Sequence, residues 1–130
     1  MVYLVEDDID DQEIVQAALI QSGYIGPVST FPNGKVLMDK LLEDATTKPD
    51  IILLDLALPL RDGFDVLAEI KWHPLLRTIP VIVLTASKKK ADERRCIELG
   101  CNSFFTKPNS MQEYDAVVNL VKKFARKSQD

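Results

Sequence analysis

The chain has 130 residues, a hydrophobic share of 46% and a formal net charge of −4 at pH 7, so we expect one domain, residues 1–130, without an output domain. No apolar run reaches the ~20 residues of a membrane span, and the acid Glu6 comes too early for a signal peptide. The negative charge gives no electrostatic help to nucleic-acid binding, and we therefore predict a cytoplasmic protein with neither a membrane nor a nucleic acid as partner.

Five short apolar segments alternate with helical segments along the chain. The predicted strands are β1 (2–5), β2 (28–31), β3 (51–54), β4 (79–84) and β5 (102–106). The β3 segment carries apolar side chains without alternation, which is typical of a strand buried on both faces of a parallel sheet. Strict alternation predicts an α/β fold with a doubly wound parallel sheet and five helices on its two faces.

Capping residues, glycine and proline predict the helix boundaries. The predicted limits are Asp10 or Asp11 to Gly23 for α1, Asn33-Gly34 as the start of α2, Asp62 to before His73 for α3, about 88 to 99 for α4, and a Ser110–Glu113 capping box for α5. Apolar residues at helical spacing should face the sheet. They are Ile14, Val15, Ala18, Leu19, Leu37, Met38, Leu41, Leu42, Phe64, Leu67, Ile70, Tyr114, Val117, Val118, Val121, Phe124 and Ala125.

Polar side chains follow four of the predicted strands. They are Glu6, Asp7 and Asp8 after β1, Asp55 after β3, Thr85 after β4 and Lys107 after β5. Because the carboxyl ends of parallel strands share one edge of the sheet, these groups should converge. Carboxylates are the ligands that Mg²⁺ prefers, and a hydroxyl with an ammonium completes an anion site. The pattern predicts a phosphoryl group attached to Asp55 beside Mg²⁺, while Asp8 is left open between helix cap, surface charge and metal ligand.

The order and spacing of these motifs resemble the receiver domain of two-component response regulators. The matching segments are Glu6-Asp7-Asp8, Leu54-Asp55-Leu56-Ala57-Leu58-Pro59 with Asp62-Gly63, Leu84-Thr85-Ala86 and Lys107-Pro108. The resemblance implies a flavodoxin-like sheet in the order 2-1-3-4-5. Within the family, the chain looks most like single-domain receivers paired with bacterial phytochrome kinases.

The resemblance implies a role for each residue that matches the family pattern. Asp55 would accept a phosphoryl group from a phosphohistidine of a sensor histidine kinase, and Thr85 and Lys107 would hold the phosphoryl oxygens. Mg²⁺ would bind Asp55 and Asp7 directly, Glu6 through water, and the backbone carbonyl of Ala57.

Two further expectations come from the same resemblance. Phe104 stands at the position of the family's switch aromatic, whose burial is coupled to Thr85, although plain core packing is the alternative. The Lys107–Pro108 peptide bond is expected to be cis.

As a receiver, the protein would be a phosphate-accepting signalling protein, not an enzyme, and it would catalyse only its own phosphorylation and dephosphorylation. Phosphorylation would change the α4-β5-α5 face. A downstream protein or a phosphotransfer partner in a phosphorelay would bind this face, and homodimerisation through it is left open.

One alternative function is a degenerate receiver that acts only as an interaction module. Another is a phosphatase of the haloacid dehalogenase type, but Ala57 stands where those enzymes carry a second acid.

Two other features of the sequence are left with open interpretations. The basic run Lys88-Lys89-Lys90 is either a solvated face or a contact for a partner. Cys96 and Cys101 match no common zinc or redox spacing, which favours buried free thiols over a disulfide or a redox switch.

Overall fold

The computed structural model describes residues 1–129, with side chains up to residue 125, so Asp130 of the predicted domain lies outside the described residues. Its elements are β1 Val2–Val5, α1 Ile9–Gln21, β2 Val28–Phe31, α2 Gly34–Glu43, β3 Ile51–Leu54, α3 Gly63–Trp72, β4 Val81–Thr85, α4 Lys90–Leu99, β5 Ser103–Thr106, a 3₁₀ turn Gln112–Tyr114 and α5 Asp115–Gln129. The strands form one parallel sheet in the order β2-β1-β3-β4-β5, which confirms the predicted fold class and strand order.

The sheet separates two hydrophobic cores because successive strand residues point to opposite faces. Ile51 and Leu53 of β3 pack with α1 and α5 on one face, whereas Ile52 and Leu54 pack with α2, α3 and α4 on the other. All four of these β3 side chains are completely buried. This burial confirms the interpretation of β3 as a central strand covered by helices on both sides.

Most predicted helix ends are confirmed, and the start of α1 is corrected. The side chains of Asn33 and Asp62 cap α2 and α3 by accepting hydrogen bonds from Val36 N and Phe64 N. The cap of α1 is Asp8, whose carboxylate accepts from Asp11 N at 3.0 Å, and not Asp10 or Asp11. Asp8 is the cap because β1 ends at Val5, which lets the helix begin at Ile9.

Other details of the predicted helices are also corrected. Ile14 and Leu42 lie at the margins of their apolar stripes and are 37% and 47% exposed. The predicted capping box of α5 does not form, because Glu113 accepts from Asn109 N and lies in the 3₁₀ turn that precedes α5. In the described residues, no helix has both the length and the hydropathy that crossing a membrane requires.

Candidate functional site

Strand register brings Glu6 and Asp55 side by side at the carboxyl edge of the sheet. Val5 of β1 pairs with Leu54 of β3, and each acid is the next residue along its strand. The Asp55 backbone N–H donates to the carbonyl of Val5 at 3.1 Å, so the pairing continues up to the site. Both acids are buried, at 3% and 5% exposure, which is unusual for carboxylates and calls for compensation.

Lys107 supplies that compensation from the end of β5. Its Nζ contacts three carboxylates, at 2.5 Å from Glu6 Oε1, 2.8 Å from Asp11 Oδ2 and 3.1 Å from Asp55 Oδ2. The backbone N–H of Lys107 donates to the Thr85 carbonyl at 2.7 Å, which continues the pairing of β4 with β5. The ammonium group donates hydrogen bonds to Asp11 and Asp55 and forms an ion pair with Glu6.

The close packing of these charges changes their proton affinities. Burial raises the pKa of the Glu6 carboxyl to about 7, and the negative charge of Asp55 adds to this effect, while the hydrogen bond with Lys107 opposes it. Burial by itself would lower the pKa of Lys107, but the hydrogen bonds to Asp11 and Glu6 and the charge of Asp55 raise it above its ordinary value. The single ammonium of Lys107 therefore compensates only part of the negative charge at this edge.

The donor set fits a hard divalent cation. Glu6, Asp7 and Asp55 each offer a carboxylate oxygen, and these oxygens lie within 4.8 Å of one another. Asp7 is exposed while the other two acids are buried, so the group opens to solvent on one side. Oxygen ligands of this kind suit Mg²⁺, Mn²⁺ or Ca²⁺. A cation at this position would offset the charge that Lys107 leaves uncompensated.

Thr85 ends β4 next to a small hydrogen-bond network. Its buried hydroxyl accepts from Ser87 N at 3.4 Å. Ser87 Oγ donates to Asp92 Oδ2 in the first turn of α4 at 2.6 Å, and the Ser87 carbonyl accepts from Thr106 Oγ1 at 2.9 Å. The hydroxyl at the candidate site is thus connected through one residue to α4 and to β5.

Gly63 holds the loop beneath Asp55 close to the start of α3. A Cβ atom at Gly63 would lie 2.5 Å from both the Asp55 carbonyl oxygen and the Leu56 Cα. The Gly63 N–H donates to the Leu56 carbonyl at 3.0 Å, and Ala57 N donates to Asp55 Oδ1 at 3.2 Å. The Asp62-Gly63 pair in the sequence therefore caps α3 and also permits this backbone approach.

The remaining predicted site residues lie at or near the same edge. Ala57 follows Asp55 in the loop, and Asp8 acts as the helix cap, one of the alternatives left open. Phe104 is half-buried and packs against the core on the α3 and α4 side. No cis peptide bond occurs in the described residues. The Lys107–Pro108 bond is therefore trans, and the expectation of a cis bond was wrong. The two isomers of such a bond differ by only about 0.5–1 kcal/mol, and a local motif does not decide between them.

Sequence reasoning missed two residues of the site, Asp11 and Gln12. Asp11 contacts Lys107, and Gln12 Nε2 donates to the Glu6 carbonyl at 2.6 Å. A signal for Asp11 was present, because it precedes Val15 and Ala18 by four and seven residues and thus continues the inward stripe of α1. An acid on such a stripe needs a buried partner, but it was interpreted as a helix cap.

Comparisons with known proteins agree with this geometry. Residues 2–119 match the family described as the response regulator receiver domain. The chain is 35% identical over 128 residues to the response regulator Rcp1 of Synechocystis sp., covering 95% of this chain and 87% of Rcp1. The Mn²⁺-bound form of Rcp1 superimposes with a TM-score of 0.82 at 35% identity, covering 95% of this chain and 91% of that one. The phosphorylated cyanobacterial phytochrome response regulator RcpA gives a TM-score of 0.84 at 36% identity, with the same coverages of 95% and 91%.

Proposed function

The chain belongs to the response regulator receiver domain family, and we propose that it accepts a phosphoryl group on Asp55 from a phosphohistidine of a sensor histidine kinase. The observation that carries this proposal is the convergence of Asp55 with Glu6, Asp7 and Lys107 at the carboxyl edge of the sheet. A nucleophilic carboxylate, a cation-binding acid group and an ammonium are the parts that phosphoryl transfer to an aspartate needs.

The proposed reaction forms one bond and breaks one. A carboxylate oxygen of Asp55 bonds to phosphorus, the bond from phosphorus to the histidine nitrogen breaks, and its electron pair stays on the imidazole. Lys107 and the Thr85 hydroxyl hold phosphoryl oxygens, and Lys107 already lies 3.1 Å from Asp55 Oδ2. Glu6, Asp7, Asp55 and the Ala57 carbonyl would hold the cation, for which we propose Mg²⁺. When bound, it would neutralise charge on the transferring group.

Phosphorylation is proposed to act as a switch through Thr85 and Phe104. A phosphoryl group adds about 1.5 to 2 negative charges at neutral pH and offers new acceptors to the Thr85 hydroxyl. The connection from Thr85 through Ser87 to Asp92 provides a route to α4. We expect the α4-β5-α5 face to differ between the two states, with Phe104 changing its packing on β5.

Partners follow from the same proposal. RcpA is named as a phytochrome response regulator, which supports a phytochrome-type histidine kinase as the phosphate donor. A downstream protein or a phosphotransfer partner would then read the α4-β5-α5 face, or a second copy of the chain would pair through it. The cytoplasmic location and the absence of a nucleic-acid partner stay predictions.

Incubation with acetyl phosphate and Mg²⁺ tests the proposal. Intact mass spectrometry should detect the addition of one phosphoryl group, and Asp55→Asn should abolish it. The exposed carboxylate of Asp65 in α3 gives a matched control, so Asp65→Asn should take up phosphate like the wild-type chain. An unchanged mass of the wild-type protein, or phosphate uptake by Asp55→Asn, would contradict the proposal.

The same experiment separates the alternative functions. Cation binding and phosphate uptake should both be absent in a degenerate receiver that only binds other proteins. Continuous release of phosphate from a generic phosphate ester would instead indicate a phosphatase. The methyl group of Ala57 offers no general acid two residues after Asp55, which argues against sustained turnover.

A further inference from the structure

Asp11 belongs to the site but not to the group of acids that could hold a cation. Its Oδ2 accepts from Lys107 Nζ at 2.8 Å, and its side chain is 32% exposed. Among the described residues, the carboxylates that lie close enough together to share an ion are those of Glu6, Asp7 and Asp55. The contact that Asp11 makes within the site is therefore to Lys107.

Lys107 competes with a cation for the same carboxylates. Its ammonium lies 2.5 Å from Glu6 Oε1 and 3.1 Å from Asp55 Oδ2, and both acids are in the cation-binding group. The attraction between charges at these distances is large, especially where burial limits the screening by water. The more strongly Lys107 is held by Glu6 and Asp55, the less negative charge remains for a cation.

We infer that Asp11 is a positioning residue, which shares the charge of Lys107 and so weakens the hold of Lys107 on Glu6 and Asp55, the acids that a divalent cation would bind. This inference rests on the proposed function, in which the cation accompanies phosphoryl transfer. Asp11 would act on cation affinity through Lys107 and would not itself be a ligand.

The fold holds Asp11 in place for this task. Its backbone N–H is fixed by the Asp8 cap at 3.0 Å, in the first turn of α1. Val15 and Ala18, on the same helical stripe, are buried against the sheet, so the helix cannot turn Asp11 away without exposing them. The carboxylate is thereby presented to Lys107 from a rigid element, as positioning residues require.

Asp10 provides a matched control for Asp11. It lies in the same first turn of α1, carries the same charge and has the same favourable interaction with the helix dipole, but it is exposed. Neutralising either residue removes one negative charge from the end of the helix. A larger effect at Asp11 therefore exceeds the loss of charge from the helix end, and its dependence on Lys107 assigns it to that contact.

Mn²⁺ binding, measured by electron paramagnetic resonance at one fixed pH, tests the inference. Asp11→Asn should raise the Kd for Mn²⁺ about fivefold or more, whereas Asp10→Asn should change it by less than about twofold. Asp11→Glu should restore much of the affinity because it restores the charge. In a Lys107→Met background, Asp11→Asn should change the Kd by less than about twofold, since its partner is gone.

Three other outcomes would overturn the role of Asp11, its route through Lys107, or the proposed function itself. Equal Kd values for the Asp11→Asn and Asp10→Asn variants would overturn the inference, and that comparison needs no Lys107 variant. An equal effect of Asp11→Asn with and without Lys107 would overturn the route through Lys107. In both cases the wild-type chain still binds Mn²⁺ and accepts phosphate, so the proposed function stands. Failure of the wild-type chain to bind Mn²⁺ would overturn both proposals.

Discussion

Two lysines at opposite edges of the sheet each make three contacts, but with different partners. Lys107 at the carboxyl edge contacts the carboxylates of Glu6, Asp11 and Asp55. Lys71 at the amino edge donates to neutral oxygens, at 3.3 Å from the Arg77 carbonyl, 2.8 Å from the Ile79 carbonyl and 3.3 Å from Asn102 Oδ1. The number of contacts is the same, and the charge of the contacted oxygens differs.

The pKa values of the two lysines move in opposite directions. Burial lowers the pKa of Lys71, and the negative charge that Cys101 can carry opposes this only in part. The acids around Lys107 overcome the same effect of burial and raise its pKa. Lys71 therefore joins the segments that precede β4 and β5, whereas Lys107 balances a site that still carries surplus negative charge. The comparison indicates a structural role for Lys71 and supports a functional role for Lys107.

The largest expected effect is a difference in the rate of phosphoryl transfer between variants of the two lysines. Lys107→Met should slow formation of the phosphorylated protein on the order of 100-fold, because it removes a positive group from developing charge. Lys71→Met should stay within about twofold of the wild-type rate, since it lies at the other edge. Initial rates with acetyl phosphate, followed by intact mass, measure both variants. Equal loss in the two variants would contradict the division of roles.

Glycine substitutions at the two edges of the sheet should also differ in the stability that they cost. Gly63→Ala forces a Cβ atom to 2.5 Å from backbone atoms below Asp55 and should destabilise the fold by about 3 kcal/mol. Gly100→Ala at the amino edge meets the flexible Lys71 side chain at 3.3 Å and has a φ of +103°, so about 1 kcal/mol is expected. Urea unfolding measures both values. A smaller loss for Gly63→Ala than for Gly100→Ala would show that the loop beneath Asp55 yields easily.

The structural role of Lys71 predicts a moderate loss of stability. Lys71→Met keeps much of the aliphatic stem but removes the donor from the Arg77 and Ile79 carbonyls, whereas Asn102 Oδ1 keeps its bond from Val81 N; the free energy of unfolding should fall by about 1–2 kcal/mol. The exposed Lys35 pairs with the exposed Asp39 in the next turn of α2, so Lys35→Met should cost less than about 0.5 kcal/mol. Equal losses in chemical denaturation would argue against the amino-edge contacts.

The smallest expected effect is the pH dependence of the Lys71 contribution. Its folded pKa lies below the ordinary value of 10.5, so the unfolded chain binds this proton more tightly. Stability contributed by Lys71 should therefore increase as the pH rises towards 10.5. The difference in unfolding free energy between the wild-type chain and Lys71→Met should be larger just below that pH than near neutrality. A smaller difference at the higher pH would contradict the lowered pKa.

The structure also shows where the two cysteines and the basic run of the sequence lie. Cys96 is buried and Cys101 is half-buried, and both are free thiols, which agrees with the interpretation from spacing. Burial raises the pKa of Cys96 to about 12, so this thiol is poorly suited to redox chemistry. Lys88, Lys89 and Lys90 are exposed, as both interpretations of the basic run require.

Local sequence patterns determined the fold class and the residues that could meet at the carboxyl edge. Unalternating strands, helical periodicity and capping residues are local signals, and parallel topology then requires Asp55, Thr85 and Lys107 to share one edge. The order of the strands came from the resemblance to a family, since local periodicity does not rank neighbours in a sheet.

Tertiary structure alone decided which acids Lys107 contacts. The helical stripe of Val15 and Ala18 already distinguishes Asp11 from Asp10, but only the packing of α1 on the sheet brings Asp11 within reach of Lys107. The same packing left Asp8 as the helix cap. Such pairings depend on side-chain positions separated by 96 residues of chain, and no local pattern encodes a distance of that kind.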